Sequence, residues 1–128
     1  MKKITLFILG TLPLGGILLF KQFNPFSDSL TIEIPKDSKL TKETVKYLCD
    51  TGVDKEKVDV TYFNARNISL ADFTWKGDRV VGANVISASG VKFMGGQYIW
   101  WTRKNEAVLY DLINDPAQEN PTHCEEEK

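Results

Sequence analysis

The residues in this chain that could make or break bonds are few, and their positions argue against catalysis. His123 is the one histidine, five residues from the end and beside Cys124. A Ser-His-Asp or Cys-His nucleophile needs an imidazole held by packing, which a frayed terminus does not supply. The run His123-Cys124-Glu125-Glu126-Glu127 has metal-ligating residue types but lacks further convergent ligands, so no metal is expected. Paired carboxylates for glycoside chemistry must sit in a cleft, and no burial signal attends Asp72 or Asp78, the acids nearest the serine- and tryptophan-bearing stretch. Neither a P-loop nor a dinucleotide fingerprint occurs. The expectation is a protein that is not an enzyme and takes no cofactor and no small-molecule substrate.

Binding chemistry is better represented. Between Asp78 and Glu106 there is no carboxylate, yet Arg79, Lys92, Arg103 and Lys104 all fall in this interval. The same interval holds the small, flexible run Ser87-Ala88-Ser89-Gly90 and the adjacent pair Trp100-Trp101. Lys92 and Lys104 taken alone read as solubilising lysines on a wet rim. Arg103 differs, because strand alternation places it on the same side as Trp101, and tryptophan and arginine are the commonest anchors of binding surfaces. Trp100, on the opposite face, reads as core.

The elements that would position these residues have period two. Val45, Tyr47 and Cys49 alternate with Lys46 and Leu48, and Val58, Val60 and Tyr62 alternate with Lys57, Asp59 and Thr61. Val81, Ala83 and Val85 share a face, as do Tyr98, Trp100 and Thr102, and Glu106–Leu112 adds another run. Turn residues separate the runs at Asp50-Thr51-Gly52, Asn64–Asn67, Lys76-Gly77-Asp78, Ser89-Gly90, Gly95-Gly96 and Lys104-Asn105. This predicts six to eight antiparallel strands with no helix. A small all-β domain leaves no aggregation-prone edge when its sheet closes into a barrel, whose interior side chains then fill. Val, Ala, Tyr and Phe at alternating positions are expected inside.

At 128 residues the chain has room for one such domain, and its 42% hydrophobic content excludes general disorder. Lys2 and Lys3 precede a 17-residue apolar run, Ile4–Phe20, that Lys21 ends. Residues 1–21 therefore read as a signal peptide or a signal anchor that exports the rest of the chain. No cysteine lies near the end of the run, so a lipid anchor of the usual kind is not expected. Residues 22–41 read as a polar tether with a short extended piece at Leu30–Ile34, residues 42–124 as the barrel and 125–128 as an acidic tail. Beyond residue 21 the chain has 13 basic and 17 acidic side chains. That balance argues against nucleic acid and suits a basic partner. Two cysteines, Cys49 and Cys124, in an exported domain suggest a disulfide. Closing so long a loop would stabilise the fold by roughly 4 kcal/mol in the chain-entropy model.

Two motifs carry a resemblance. "SASGVKF", Ser87–Phe93, followed by "YIWWTRK", Tyr98–Lys104, resembles the paired signatures of the membrane-bound and periplasmic inhibitors of c-type lysozyme. In that family the first reads SGSGAKY or close to it, and the second reads Tyr, three residues, Thr or Ser, Lys, Gly. Glu106-Ala107, the upstream Tyr47-Leu48-Cys49 and a second cysteine near the C-terminus also match, so the likeness runs from about Val45 to Cys124. The resemblance implies an eight-stranded antiparallel barrel closed by a Cys49–Cys124 disulfide. It further implies a partner, c-type lysozyme, whose catalytic carboxylates are reached by a serine of the first motif and a lysine of the second. Those positions fall on Ser89 and Arg103, and Ser87, Gly90, Lys92, Tyr98, Trp101 and Lys104 complete the expected lysozyme-binding surface. Small Ala88 and Gly90 would let the loop backbone enter a groove shaped for sugar rings.

Three positions depart from the family pattern. Arg103 stands where lysine is usual, keeping the charge in a planar head. Lys104 replaces a glycine, so a turn needing positive φ should be reshaped or strained. The lipobox cysteine of the membrane-bound branch is missing. The expected function is protection of bacterial peptidoglycan in the envelope, on the periplasmic side, by occluding lysozyme's cleft. A small-ligand-binding or adhesive barrel of the envelope is the alternative.

Overall fold

The computed structural model describes residues 28–128; the expected signal segment and the start of the tether lie outside them. Contacts divide the chain into Met1–Glu33 and Ile34–Lys128, and the second unit holds all the described strands. Residues 28–40 form a turn but no strand, so Leu30–Ile34 is not part of the sheet.

The barrel is built from eight strands: β1 (Thr41–Asp50), β2 (Lys55–Ala65), β3 (Ile68–Trp75), β4 (Asp78–Val85), β5 (Val91–Gly95), β6 (Tyr98–Arg103), β7 (Glu106–Asp111) and β8 (Thr122–Glu126). Each pairs antiparallel with the next, and β8 returns to β1 to close the sheet. Six of the seven connections fall at the turn residues the sequence marks, where positive φ occurs, and only the long β7–β8 connection, residues 112–121, is unmarked. Lys76 and Gly77 both adopt positive φ between β3 and β4, as do Arg66 between β2 and β3 and Lys104 between β6 and β7.

Aromatic rings fill the interior. Trp100, 1% exposed, has the rings of Tyr47 and Phe73 at centroid distances of 5.1 Å, and Tyr62 meets Phe93 at 5.6 Å. The polar atoms of this cluster satisfy one another. Trp100 Nε1 donates to Tyr62 Oη at 2.8 Å, and Tyr62 and Tyr47 share a second bond of 2.8 Å. Burial pushes both phenol pKa values up, so these hydroxyls stay neutral donors at any ordinary pH. Truncating Trp100 to alanine would cost about 3–5 kcal/mol, as for other large core aromatics.

Cys49 of β1 and Cys124 of β8 are register partners and form the disulfide, tying the closing seam across 75 residues of sequence. His123 is accordingly a strand residue, paired with Val108 and Asp50, and not part of a frayed end. The strand takes in Glu125 and Glu126 as well, because the paired edges of β1 and β7 supply hydrogen-bond partners that far. The expectation for β4 is corrected. Its inward residues are Val80 and Gly82, while Val81 is 50% exposed and Ala83 faces solvent. Register sets this parity, since Phe73 pairs with Val80, and a Cβ on Gly82 would already stand 3.2 Å from that of Phe93.

Candidate functional site

Because the strands alternate in direction, one end of the barrel carries the connections Arg66–Asn67, Ile86–Gly90 and Lys104–Asn105. None of these three contains a carboxylate. The two sequence motifs meet here. Val91 pairs with Thr102 and Lys92 with Trp101, which lays the Ile86–Gly90 loop against the end of β6. Gly90 has φ +67, and a Cβ there would come within 2.2 Å of the Thr102 carbonyl oxygen. Only glycine permits that approach.

Hydrogen bonds then define the loop. Ser87 Oγ donates to the Gly90 carbonyl at 3.1 Å, closing the loop on itself. Trp101 Nε1 donates to the Ser89 carbonyl at 2.8 Å. Arg103 Nη2 donates to Ser89 Oγ at 2.9 Å. Ser89 and Arg103 are both exposed, so a hydroxyl and a guanidinium from separate hairpins stand side by side facing solvent. Lys92 Nζ sits 4.2 Å from the centre of the Trp101 ring, a cation–π contact beside the same loop.

The four cations of the carboxylate-poor interval are thereby sorted. Arg79 is already committed, with Nε and Nη2 on the two oxygens of Asp72 at 2.6 and 2.7 Å, hydrogen bonds that hold its pKa up. Lys92 packs on Trp101. Arg103 is bound to a neutral partner and keeps its charge unmatched within the site. Lys104 is exposed at the turn and keeps φ +55, so the turn holds its left-handed residue without the glycine. Such a conformation strains a side-chain-bearing residue by about 1 kcal/mol.

Ser87, Ser89, Gly90, Lys92, Trp101, Arg103 and Lys104 are brought together. Tyr98 is not. It begins β6, at the other end of the strand, with its ring inside the barrel and its hydroxyl donating to Asp78 Oδ2 at 3.3 Å. Two features of this end are not legible in the sequence. Ile86, in the same loop as Ser89, is 98% exposed; a lone isoleucine after a run of alternating residues gives no signal that it leaves the sheet. A groove of about 390 Å³ beside Arg103 is lined by Trp101, Glu106, Val108, Tyr110, His123 and Glu125. Those residues are outward positions of β6, β7 and β8, and finding them needs the cross-strand register. Cys124 is consumed by the disulfide, and among the described residues no group of three or more His, Cys, Asp or Glu side chains converges to hold a metal.

Comparison with known proteins gives matches over the same region. The family described as membrane-bound lysozyme-inhibitor of c-type lysozyme matches residues 47–118. A membrane-bound lysozyme inhibitor of C-type lysozyme from Pseudomonas aeruginosa is 44% identical over 80 residues, 62% of this chain and 61% of that protein. One from Cupriavidus necator is 39% identical over 69 residues, 54% of this chain and 53% of its own length. The matched stretch thus spans less than two thirds of either relative. The crystal structure of Pseudomonas aeruginosa MliC in complex with hen egg white lysozyme superposes with a TM-score of 0.65 and 35% identity, covering 80% of this chain and 99% of that one. Barrel, disulfide, paired motifs and a family match over more than half its length agree: the chain belongs to the family of membrane-bound lysozyme inhibitors of c-type lysozyme.

Proposed function

We propose that this chain inhibits c-type lysozyme by filling the enzyme's catalytic cleft with the Ile86–Gly90 loop and the end of β6, and that it catalyses nothing itself. The observation that carries the proposal is the 2.9 Å hydrogen bond from Arg103 Nη2 to Ser89 Oγ between two exposed tips. A guanidinium only donates. With its oxygen accepting from Arg103, Ser89 keeps its own proton for another acceptor. The pair is therefore a donor surface with a positive charge, and its complement is a carboxylate. Lysozyme works through a glutamic acid of raised pKa and a neighbouring ionised aspartate. The hydroxyl suits the first and the guanidinium the second, and in a cleft closed to water such charge-assisted bonds strengthen. The relative crystallised with hen egg white lysozyme supports this choice of enzyme.

The excess of acidic side chains outside residues 1–21 would speed encounter with a basic enzyme, while the three hairpin tips, which carry no carboxylate, lead the approach. Membrane association through residues 1–21, if they are retained, would hold the barrel on the periplasmic side of the envelope, where peptidoglycan lies. Family membership supports that location. The small-ligand alternative has no support inside the barrel, where Trp100, Phe73, Phe93 and Tyr47 fill the space.

Lysis of purified peptidoglycan by a c-type lysozyme, with and without the chain, tests the proposal. Wild-type chain is expected to suppress lysis, and the folded S89A/R103A double variant to have lost that effect. A folded double variant that inhibits as well as wild type would retire the mechanism.

A further inference from the structure

We propose that Trp101 is a positioning residue, which holds Ser89 in its inhibitory geometry before any partner arrives; this rests on the reading of Ser89 and Arg103 as the inhibitory pair. Trp101 lies outside the residue types that define the second motif and, as a half-buried aromatic beside Arg103, could be taken for a direct contact. Its surroundings assign it a different task. The indole N–H is spent within the molecule, on the Ser89 carbonyl at 2.8 Å. One face of the ring is spent too, under Lys92 Nζ at 4.2 Å.

The loop it holds is one that would otherwise move. Ile86–Gly90 has one β-branched residue and then Ser, Ala, Ser and Gly, with a single internal side-chain bond, from Ser87 to Gly90. Gly90 lies directly on β6, where any Cβ would stand 2.2 Å from the Thr102 oxygen and 3.2 Å from Trp101 Nε1. Ser89 is therefore gripped at both ends of its residue, by Trp101 at the carbonyl and by Arg103 at the hydroxyl. The Arg103 grip uses the same hydroxyl and guanidinium that the partner would engage, so it cannot act independently of the partner. The Trp101 grip can, because it acts on the backbone behind the tip. Ordering the loop in advance removes an entropic cost from binding.

The test uses the full-length chain with Trp101→Phe, which keeps a ring but removes the N–H. A second variant carries benzothienylalanine at the position, which replaces the N–H by sulfur and changes the shape very little. In both, backbone order parameters of residues 86–90 in the absence of lysozyme are expected to fall, while the melting temperature stays within a few degrees. Inhibition is expected to weaken about five- to tenfold, the consequence of losing one neutral hydrogen bond and the order it imposes. A double-mutant cycle with Ser89→Ala should be strongly non-additive, Trp101→Phe costing much less once the hydroxyl is gone. Unchanged order parameters in both variants, or fully additive losses in the cycle, would overturn the assignment. If wild-type chain fails to inhibit lysozyme, the reading of the site falls instead, and the order parameters still judge Trp101.

Discussion

The two ends of the barrel use their polar residues in opposite ways. At the end away from the site, carboxylates are consumed inside the structure. Asp50 accepts from the Gly52 amide, Asp54 from Thr51 Oγ1, and Asp115 from the amides of Glu119 and Asn120. Asp111 accepts from Gln97, Asn114 and the Ile113 amide, which organises the start of the long β7–β8 connection. At the site end the three hairpin connections have no carboxylate, and the side chains of Ser89 and Arg103 hydrogen-bond each other. One end satisfies its polar groups with opposite partners and so contributes stability. The other leaves donors and charge over, which costs little in water and, in the proposed binding mode, would become affinity when an acidic groove supplies acceptors.

Two arginines test that contrast most severely. Arg103→Glu should weaken inhibition on the order of a hundredfold or more, since in the proposed binding mode it would replace an attraction to carboxylates with repulsion. Arg79→Glu, which breaks the Asp72 pair on the barrel wall, should leave inhibition within about twofold, because exposed ion pairs contribute little. Inhibition titrations of the two variants side by side decide it, and equal losses would erase the distinction between matched and unmatched charge.

A pair of glycines gives the next largest effect. Gly90 and Gly96 both have positive φ, +67 and +55, but only Gly90 has backbone where a Cβ would go; around Gly96 nothing lies within 4 Å. Gly96→Ala should cost about 1 kcal/mol, the conformational penalty alone. Gly90→Ala should cost about 2–3 kcal/mol, because the loop must also lift from β6, and inhibition should fall with it. Denaturant midpoints measure the first difference, and comparable midpoints for the two variants would show that the loop does not rest on β6.

Acid provides the smallest effect. Burial alone would push the Asp111 carboxyl up, but hydrogen bonds from Asn114, Gln97 and the Ile113 amide outweigh it and hold the pKa below the ordinary 3.8. A carboxyl lowered on folding contributes stability above its unfolded pKa and loses it as pH falls through the folded value. Stability carried by this loop should therefore decline only below about pH 4, and by a small amount because the group is close to solvent. Asp111→Asn should flatten that decline in thermal melts between about pH 5 and 2.5.

Much of this molecule is local and hence readable. Glycine, asparagine and aspartate mark nearly every hairpin connection, although in three of them a positive φ falls on Arg66, Lys76 or Lys104. Alternation marks β1, β2 and β6 because one face of each meets the core. Two cysteines leave one intramolecular pairing, and the linear motifs point at Ser89 and Arg103. What alternation cannot supply is a sign. Val81-Ala83-Val85 and Val80-Gly82 are equally regular as text, and pairing of Val80 with Phe73 and of Gly82 with Ala71 chose the second as the inside. Tyr98 shares a strand and a motif with Arg103 but lies at its far end, a separation that is plain only once the strand is extended.

The sequence by itself determined that this chain forms short antiparallel strands, that its cysteines can close them, and that one cationic stretch lacks acids. Those are properties of residues and their immediate neighbours. Only tertiary structure decided that Arg79 is matched by Asp72 while Arg103 rests on a hydroxyl, that Trp101 holds Ser89 from behind, and that His123 lies in the closing strand. Each depends on which strands become adjacent and in what register. Register is set by side chains packing across the whole barrel at once, and no local stretch encodes it.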